Sequence, residues 1–241
     1  MNIGHLIVSP SMLVSTPQGS FGAYVAKPMT GPAPCMVVVQ EIFGINADMR
    51  DTCDELARKG FIAICPDLFW RLQAGVDMSD QTEAEWKKGF ALYNAFNFDC
   101  GVADVAATMK AARGLPDATG KVGLIGFCMG GLLTLLATAA HGADASVAYY
   151  PGGAEKHLVA LQRIATPTLI HLAERDEYMP AQAQEAIAQS FAKRPTVQMH
   201  TYAGCQHAFA RHRGIHFDAA AANLANARSE AFLKRHLMAA M

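Results

Sequence analysis

Gly126, Phe127, Cys128, Met129 and Gly130 have the spacing of a nucleophile elbow, a sharp strand-to-helix turn, with sulfur where serine is commoner. So tight a turn presses backbone against neighbouring elements, and a glycine two residues to either side leaves the room a Cβ would fill. It also aims the amides of the helix start at the nucleophile, where they favour a thiolate and a developing oxyanion. The same pentapeptide suits a buried core cysteine in a glycine-rich turn, since cysteine is among the most buried residue types. Two other stretches bear on the choice. Asp176 follows one strand pattern, in Ala173-Glu174-Arg175-Asp176-Glu177, and His207 follows another, in Ala203-Gly204-Cys205-Gln206-His207. Alone, Asp176 reads as a solvated loop acid and His207 as a surface histidine. With Cys128 they supply nucleophile, acid and base in that order, each just past a strand end. A histidine of ordinary pKa near 6.5 suits proton transfer at neutrality, and a carboxylate beside it fixes its tautomer. The chemistry expected is thiolate attack on an ester or lactone carbonyl, giving a thioester that water activated by His207 then hydrolyses.

The elements around these residues alternate. Phe21 to Lys27 alternates in polarity like a strand exposed on one face, whereas Cys35 to Gln40 is continuously apolar, as a strand covered on both faces should be. Asn46 to Lys59 carries Met49, Cys53, Leu56 and Ala57 at helical spacing and stops at Gly60. Phe61 to Cys65 is a further buried strand. Phe69 to Asp80 has no period and reads as a long connection or cap over one end of the sheet. Helices are predicted over Thr82 to Phe96 and Val102 to Arg113, before the strand and helix of the elbow itself. Strands follow at Ser146 to Tyr150, Thr166 to Leu172 and Val197 to Tyr202. A helix from Pro180 to Phe191, with proline at its first position, and a last helix from Phe217 to Leu237 complete the chain. This alternation, without a linker or repeat, predicts one α/β domain with a mostly parallel central sheet and helices on both faces. In such a sheet ligands lie outside the carboxyl ends of the strands.

Composition narrows the function classes. The 241 residues are 51% hydrophobic and 17% charged, with 20 basic against 21 acidic side chains, so charge gives no reason to expect nucleic acid or an anionic membrane as partner. The first residues, MNIGHLIVSPSMLVS, lack a basic start and a cleavage site, and no segment has the run of apolar residues a membrane helix needs. A soluble, cytoplasmic protein with a small-molecule partner is expected, and the sequence carries no signature of a particular oligomeric state. Cys35, Cys53, Cys65, Cys100, Cys128 and Cys205 are scattered without close pairs, which suggests reduced thiols in place of disulfides or a zinc site. His207, His212 and His216 have the gaps of a metal cluster but no acidic neighbour in sequence, and no metal or cofactor is expected.

At this point the chain resembles the dienelactone hydrolase (carboxymethylenebutenolidase) family of α/β-hydrolases. Gln40 to Asn46 (QEIFGIN), Cys65 to Phe69 (CPDLF), Ala95 to Val105 (AFNFDCGVADV), Lys121 to Gly131 (KVGLIGFCMGG), Ala148 to Gly152 (AYYPG) and His207 to Arg211 (HAFAR) carry the resemblance, which spans essentially the whole chain. It implies an α/β-hydrolase fold, an esterase acting on a small lactone or related ester, and Cys128, Asp176 and His207 as the triad. It further implies that Glu41 contacts the nucleophile's thiol and helps ionise it when substrate arrives, and that the backbone N–H groups of Ile42 and Met129 form the oxyanion hole. Read without the family, an acid such as Glu41 ending an apolar strand already calls for a role. Arg211 matches an arginine that holds the substrate carboxylate. Trp86 stands where the family has a second arginine, and Phe90 where it has tyrosine. Either Lys87, Lys88 or Arg71 supplies the missing charge, or the pocket takes a less anionic and more aromatic substrate, or Trp86 is ordinary helix core. A non-hydrolytic ligand-binding or thiol-redox protein on the same fold is the competing functional reading.

Overall fold

The computed structural model describes residues 12–238. One eight-stranded sheet runs through them in the order β1-β2-β4-β3-β5-β6-β7-β8. The strands are β1 (Met12–Thr16), β2 (Gly19–Ala26), β3 (Ala33–Val39), β4 (Ile62–Pro66), β5 (Ala118–Phe127), β6 (Ala145–Tyr149), β7 (Thr168–Ala173) and β8 (Val197–Tyr202). The β1–β2 and β2–β4 pairings are antiparallel and all others parallel. The helices are α1 (Ala47–Arg58), α2 (Glu83–Ala95), α3 (Phe98–Arg113), α4 (Met129–His141), the single turn α5 (Leu158–Leu161), α6 (Ala181–Phe191) and α7 (Ala219–Leu237).

All seven residues of β3 are buried, as its unbroken apolar run requires of a strand covered on both faces. Met36 and Val38 point into one core with α1 and α7, while Cys35, Val37 and Val39 point into the other with α3 and α4. On α1 the buried stripe is Met49, Cys53, Leu56 and Ala57, the residues whose spacing marked the helix. Asn46 caps its start by accepting the Met49 N–H at 3.1 Å, and Gly60 follows its end at φ +92°. Helix α4 is apolar nearly all round and lies buried between the sheet and its neighbours, so it is fixed behind the elbow.

Several expectations shift. β1 forms a hairpin with β2 that the sequence reading did not include. α3 begins at Phe98, not Val102, because Asn97 accepts the Cys100 N–H and opens the helix a turn earlier. Pro180 is the cap of α6 and not its first helical residue. Residues 67–82 are irregular, as expected of a cap over the sheet, and they are tied down. Gln40 accepts the Leu68 N–H at 3.1 Å, Asn46 donates to the Met78 carbonyl at 2.9 Å, and Ile45 N–H donates to Val76 at 3.0 Å. No described helix is long and apolar enough to cross a membrane. The first eleven residues of the stretch read for a targeting signal lie outside the described residues.

Candidate active site

Cys128 sits between β5 and α4 with φ +54° and ψ −119°, a conformation that L-residues rarely adopt. The surroundings leave no alternative to glycine beside it. A Cβ on Gly126 would lie 2.1 Å from the Gly130 carbonyl oxygen, and one on Gly130 would lie 2.1 Å from that of Val39. The turn is pinned further by the Cys128 N–H, which donates to the Tyr149 carbonyl at 3.1 Å. Cys128 is half-buried, in contrast with the buried Cys35, Cys53, Cys65 and Cys205.

Asp176 and His207 meet across the ends of β7 and β8. The His207 Nδ1 lies 2.8 Å from Asp176 Oδ2 and 3.0 Å from Oδ1. The carboxylate is itself held by the Tyr178 and Met179 N–H groups, which donate to Oδ1 at 2.8 and 3.1 Å. The two loops are joined by the Arg175 N–H, which donates to the Cys205 carbonyl at 2.8 Å. His207 is gripped between the rings of Tyr150 and Tyr178, at centroid distances of 5.0 and 4.8 Å. Its Nε2 is buried and has no hydrogen-bond partner among the described residues. Burial opposes the charged ring, but the sulfur of Cys128 and the Asp176 carboxylate outweigh it and push His207 up to about 10. The structure thus brings all three expected residues to one place.

Ile42 and Met129 belong to the core cluster against which Cys128 packs. Ile42 lies in the turn closed by the Gly44 N–H donating to Glu41, and Met129 opens α4. Neither N–H is engaged by another described group, which leaves both able to receive an oxyanion. Helix α2 covers Ile42 closely through Gly89, where a Cβ would lie 3.2 Å from the Ile42 side chain.

Glu41 is 1% exposed. Its Oε2 accepts from Arg211 Nε at 2.6 Å, while among the described residues Oε1 is buried without a partner and no hydrogen bond joins Glu41 to Cys128. Arg211, expected to reach a substrate carboxylate, is 5% exposed and spends its second contact on Asp80, which accepts from a terminal guanidinium nitrogen at 2.6 Å. Phe43 packs against the guanidinium at 4.9 Å. Asp48 is close enough to feel both Glu41 and Arg211, although burial is what chiefly raises its pKa.

Trp86 and Phe90 stack on each other at 5.6 Å, and Trp86 sets its edge against Phe43 at 5.1 Å. The indole N–H donates to the Asp80 carbonyl at 2.8 Å, and the ring packs against the core that holds Ile42 and Phe43. Phe90 in turn approaches Tyr178 at 6.2 Å. Tyr93 and Tyr178 both have phenols pushed upward, chiefly by burial, with Cys128 adding to it in Tyr93, and Glu177 and then Cys128 in Tyr178.

The candidates for a replacement charge do not join this group. Arg71 lies over Trp70 and is held by Asp104 and Gln18, and Lys87 and Lys88 are exposed. His207, His212 and His216 do not converge. His212 faces Glu55 and Phe217, and His216 Nδ1 meets the His207 carbonyl. No described set of three or more histidine, cysteine, aspartate or glutamate side chains is arranged to hold a metal.

Asp80, Tyr150 and Tyr178 are site residues that the sequence reading missed. Tyr150 had a signal, since it stands at the carboxyl end of β6, where ligands bind in such sheets. It sits at φ +37° with its hydroxyl buried and unpartnered among the described residues. Asp80 had none, because its partner is 131 positions away.

Comparison with known proteins bears on family and fold. Residues 21–237 match the model of the dienelactone hydrolase family. The carboxymethylenebutenolidase of Pseudomonas putida is 40% identical over 214 residues, which cover 89% of this chain and 91% of that protein. A solved structure from Klebsiella pneumoniae subsp. pneumoniae, 26% identical, superposes with a TM-score of 0.80 over 93% of this chain and 98% of that one. The dienelactone hydrolase of Anabaena variabilis, 14% identical, has a TM-score of 0.70 over 94% and 96% of the two chains. A family model matched over residues 21–237, and a sheet and sequence matched almost end to end, make this chain a hydrolase of the dienelactone hydrolase family, with the α/β-hydrolase fold.

Proposed function

We propose that this protein hydrolyses the ester bond of a small lactone or related carboxylic ester, with Cys128 as nucleophile. His207 Nε2 takes the thiol proton as Sγ bonds to the carbonyl carbon, and the carbonyl oxygen gathers the electron pair while facing the Ile42 and Met129 N–H groups. Collapse breaks the carbon–oxygen ester bond, and the imidazolium returns its proton to the departing oxygen. A thioester remains on Cys128; with a lactone substrate, the released hydroxyl stays tethered to it. Water, deprotonated by His207, then attacks the thioester, frees the carboxylic acid and restores the thiol. Glu41 acts on the ionisation of the thiol when substrate arrives, and Trp86 and Phe90 line the pocket. Six free thiols suit a reducing cytoplasmic setting.

The observation that carries this reading is the clamped Asp176–His207 pair, with its free Nε2 beside a cysteine held at positive φ. A redox role would need no such acid and base. The test is Cys128→Ala, which should abolish hydrolysis of p-nitrophenyl acetate with the melting curve preserved, while wild type forms a mass-detectable acyl adduct. Full activity in the variant would refute the reading.

A further inference from the structure

Glu155 stands in the helical turn Ala154–His157, a few residues past the carboxyl end of β6, the strand that leads into Tyr150. The turn is firmly seated. Ala154 is fully buried in one core cluster with Leu132 of α4, and its N–H donates to the Pro151 carbonyl at 3.1 Å. The Lys156 N–H donates to the Gly153 carbonyl, also at 3.1 Å. Yet Glu155 Oε2 is buried without a partner among the described residues, and no described cation pairs with the acid. A buried carboxylate oxygen held in a fixed turn beside an active site calls for a partner from outside the chain.

Tyr93 is the second open group. Trp86, Phe90 and Tyr93 follow one another on α2 at the spacing of a single helix face, so the stripe that begins beside Asp80 ends in a phenol. The Tyr93 ring meets Phe98 edge-on at 5.7 Å, and Phe98 packs against the cluster that holds Ala154, which brings Tyr93 and Glu155 to the same end of the cleft. The phenol also lies within electrostatic reach of both Cys128 and Glu155, and burial chiefly holds its pKa above the ordinary value, so it keeps its proton at neutrality and can donate. No described group shares a hydrogen bond with its hydroxyl, and none joins it to Glu155.

Resting on the hydrolase reading above, we propose that Tyr93 and Glu155 form a polar subsite that selects esters and lactones carrying a hydroxyl on the acyl part. That hydroxyl donates to Glu155 Oε2 and accepts from the Tyr93 O–H, so one substrate group answers both open partners. The acyl part is the part in reach. The departing oxygen must face His207 to collect its proton, and His207 lies against Tyr178 at the ends of β7 and β8, whereas Tyr93 and Glu155 come from α2 and the turn after β6. An acyl part without the hydroxyl leaves the carboxylate oxygen buried and unpaired, which is how a polar site rejects an analogue that lacks the matching group.

The test compares p-nitrophenyl esters of 3- and 4-hydroxyphenylacetic acid with those of phenylacetic acid and the two methoxy analogues, which share one leaving group. For the full-length wild type, kcat/KM for the better hydroxylated ester should exceed that for the unsubstituted ester at least tenfold, with the methoxy esters no better than the unsubstituted one. That ratio should fall several-fold in Tyr93→Phe and in Glu155→Gln, and approach one in the double variant. A merely structural role would lower all the rates together and leave the ratio where it was. A wild-type ratio near one, methoxy esters turned over as well as hydroxylated ones, or an unchanged ratio in the folded variants would overturn the proposal. If no ester is turned over, the hydrolase reading fails and the subsite is judged separately, by titration calorimetry of the hydroxyphenylacetamides and phenylacetamide with Cys128→Ala. Tenfold tighter binding of a hydroxylated amide would then uphold the subsite, and equal or absent binding would overturn it.

Discussion

Replacing Arg211 with methionine removes the cation to which Glu41 and Asp80 are both bonded, and leaves two carboxylates that are 1% and 3% exposed. Loss of one member of a buried ion pair costs about 3–5 kcal/mol, mainly because the remaining charge stays desolvated. A chain of 241 residues unfolds with an entropy near 0.5 kcal/mol per kelvin, from about 2.1 cal/mol/K per residue. The melting temperature should therefore fall by roughly 6–10 °C at pH 7. The deficit should shrink toward pH 5. Carboxylates buried without their cation hold protons more tightly in the folded chain than in the unfolded one, so the variant gains stability relative to wild type as pH falls. Adding Glu41→Gln and Asp80→Asn to Arg211→Met should recover most of the loss. The assay is calorimetric unfolding of the three proteins at pH 5, 6 and 7. If Arg211→Met melts within a degree or two of wild type at all three values, the guanidinium is not the brace described here.

Asp176→Asn keeps an acceptor for the Tyr178 and Met179 N–H groups but no longer stabilises the imidazolium. It should lower kcat for activated esters by about a hundredfold to ten-thousandfold at unchanged fold, as measured by initial rates and circular dichroism. His171 is fully buried, between the Tyr202 hydroxyl at 2.8 Å and that of Ser229 at 2.9 Å, and burial together with His200 and Arg228 depresses its pKa to about 3. The unfolded chain takes up that proton first, so His171 adds stability in full above its ordinary pKa near 6.5, and this is lost as pH falls from there toward 3. Urea midpoints for wild type should decline across pH 7 to 5 more steeply than those of His171→Gln, and parallel curves would exclude the linkage.

What was legible in the sequence was local. The elbow could be read because its two glycines and cysteine lie within five residues and their crowding is a property of one turn. The order of Cys128, Asp176 and His207 was legible because each follows a stretch with a strand pattern. The Arg211 brace was not, since Asp80 belongs to a stretch without period and is brought to Arg211 by long-range ties, among them those from Gln40, Ile45 and Asn46 to residues 68, 76 and 78. For the same reason Arg211 could be singled out but not its state of pairing. Trp86 illustrates the middle case: its place on α2 followed from a run of helix-forming residues, while its bond to the Asp80 carbonyl did not. The β1–β2 hairpin escaped because a five-residue edge strand leaves too little pattern to distinguish from a loop.

The backbone angles of Cys128 set activity and durability against each other at one position. Holding a side chain at φ +54° costs on the order of 1–3 kcal/mol, and glycine alone escapes that cost. A population of variants at residue 128 selected only for heat tolerance would therefore drift to glycine and lose its chemistry. Directed evolution of this scaffold has to score turnover in every round, because the stability gradient at its nucleophile runs downhill toward an inert protein.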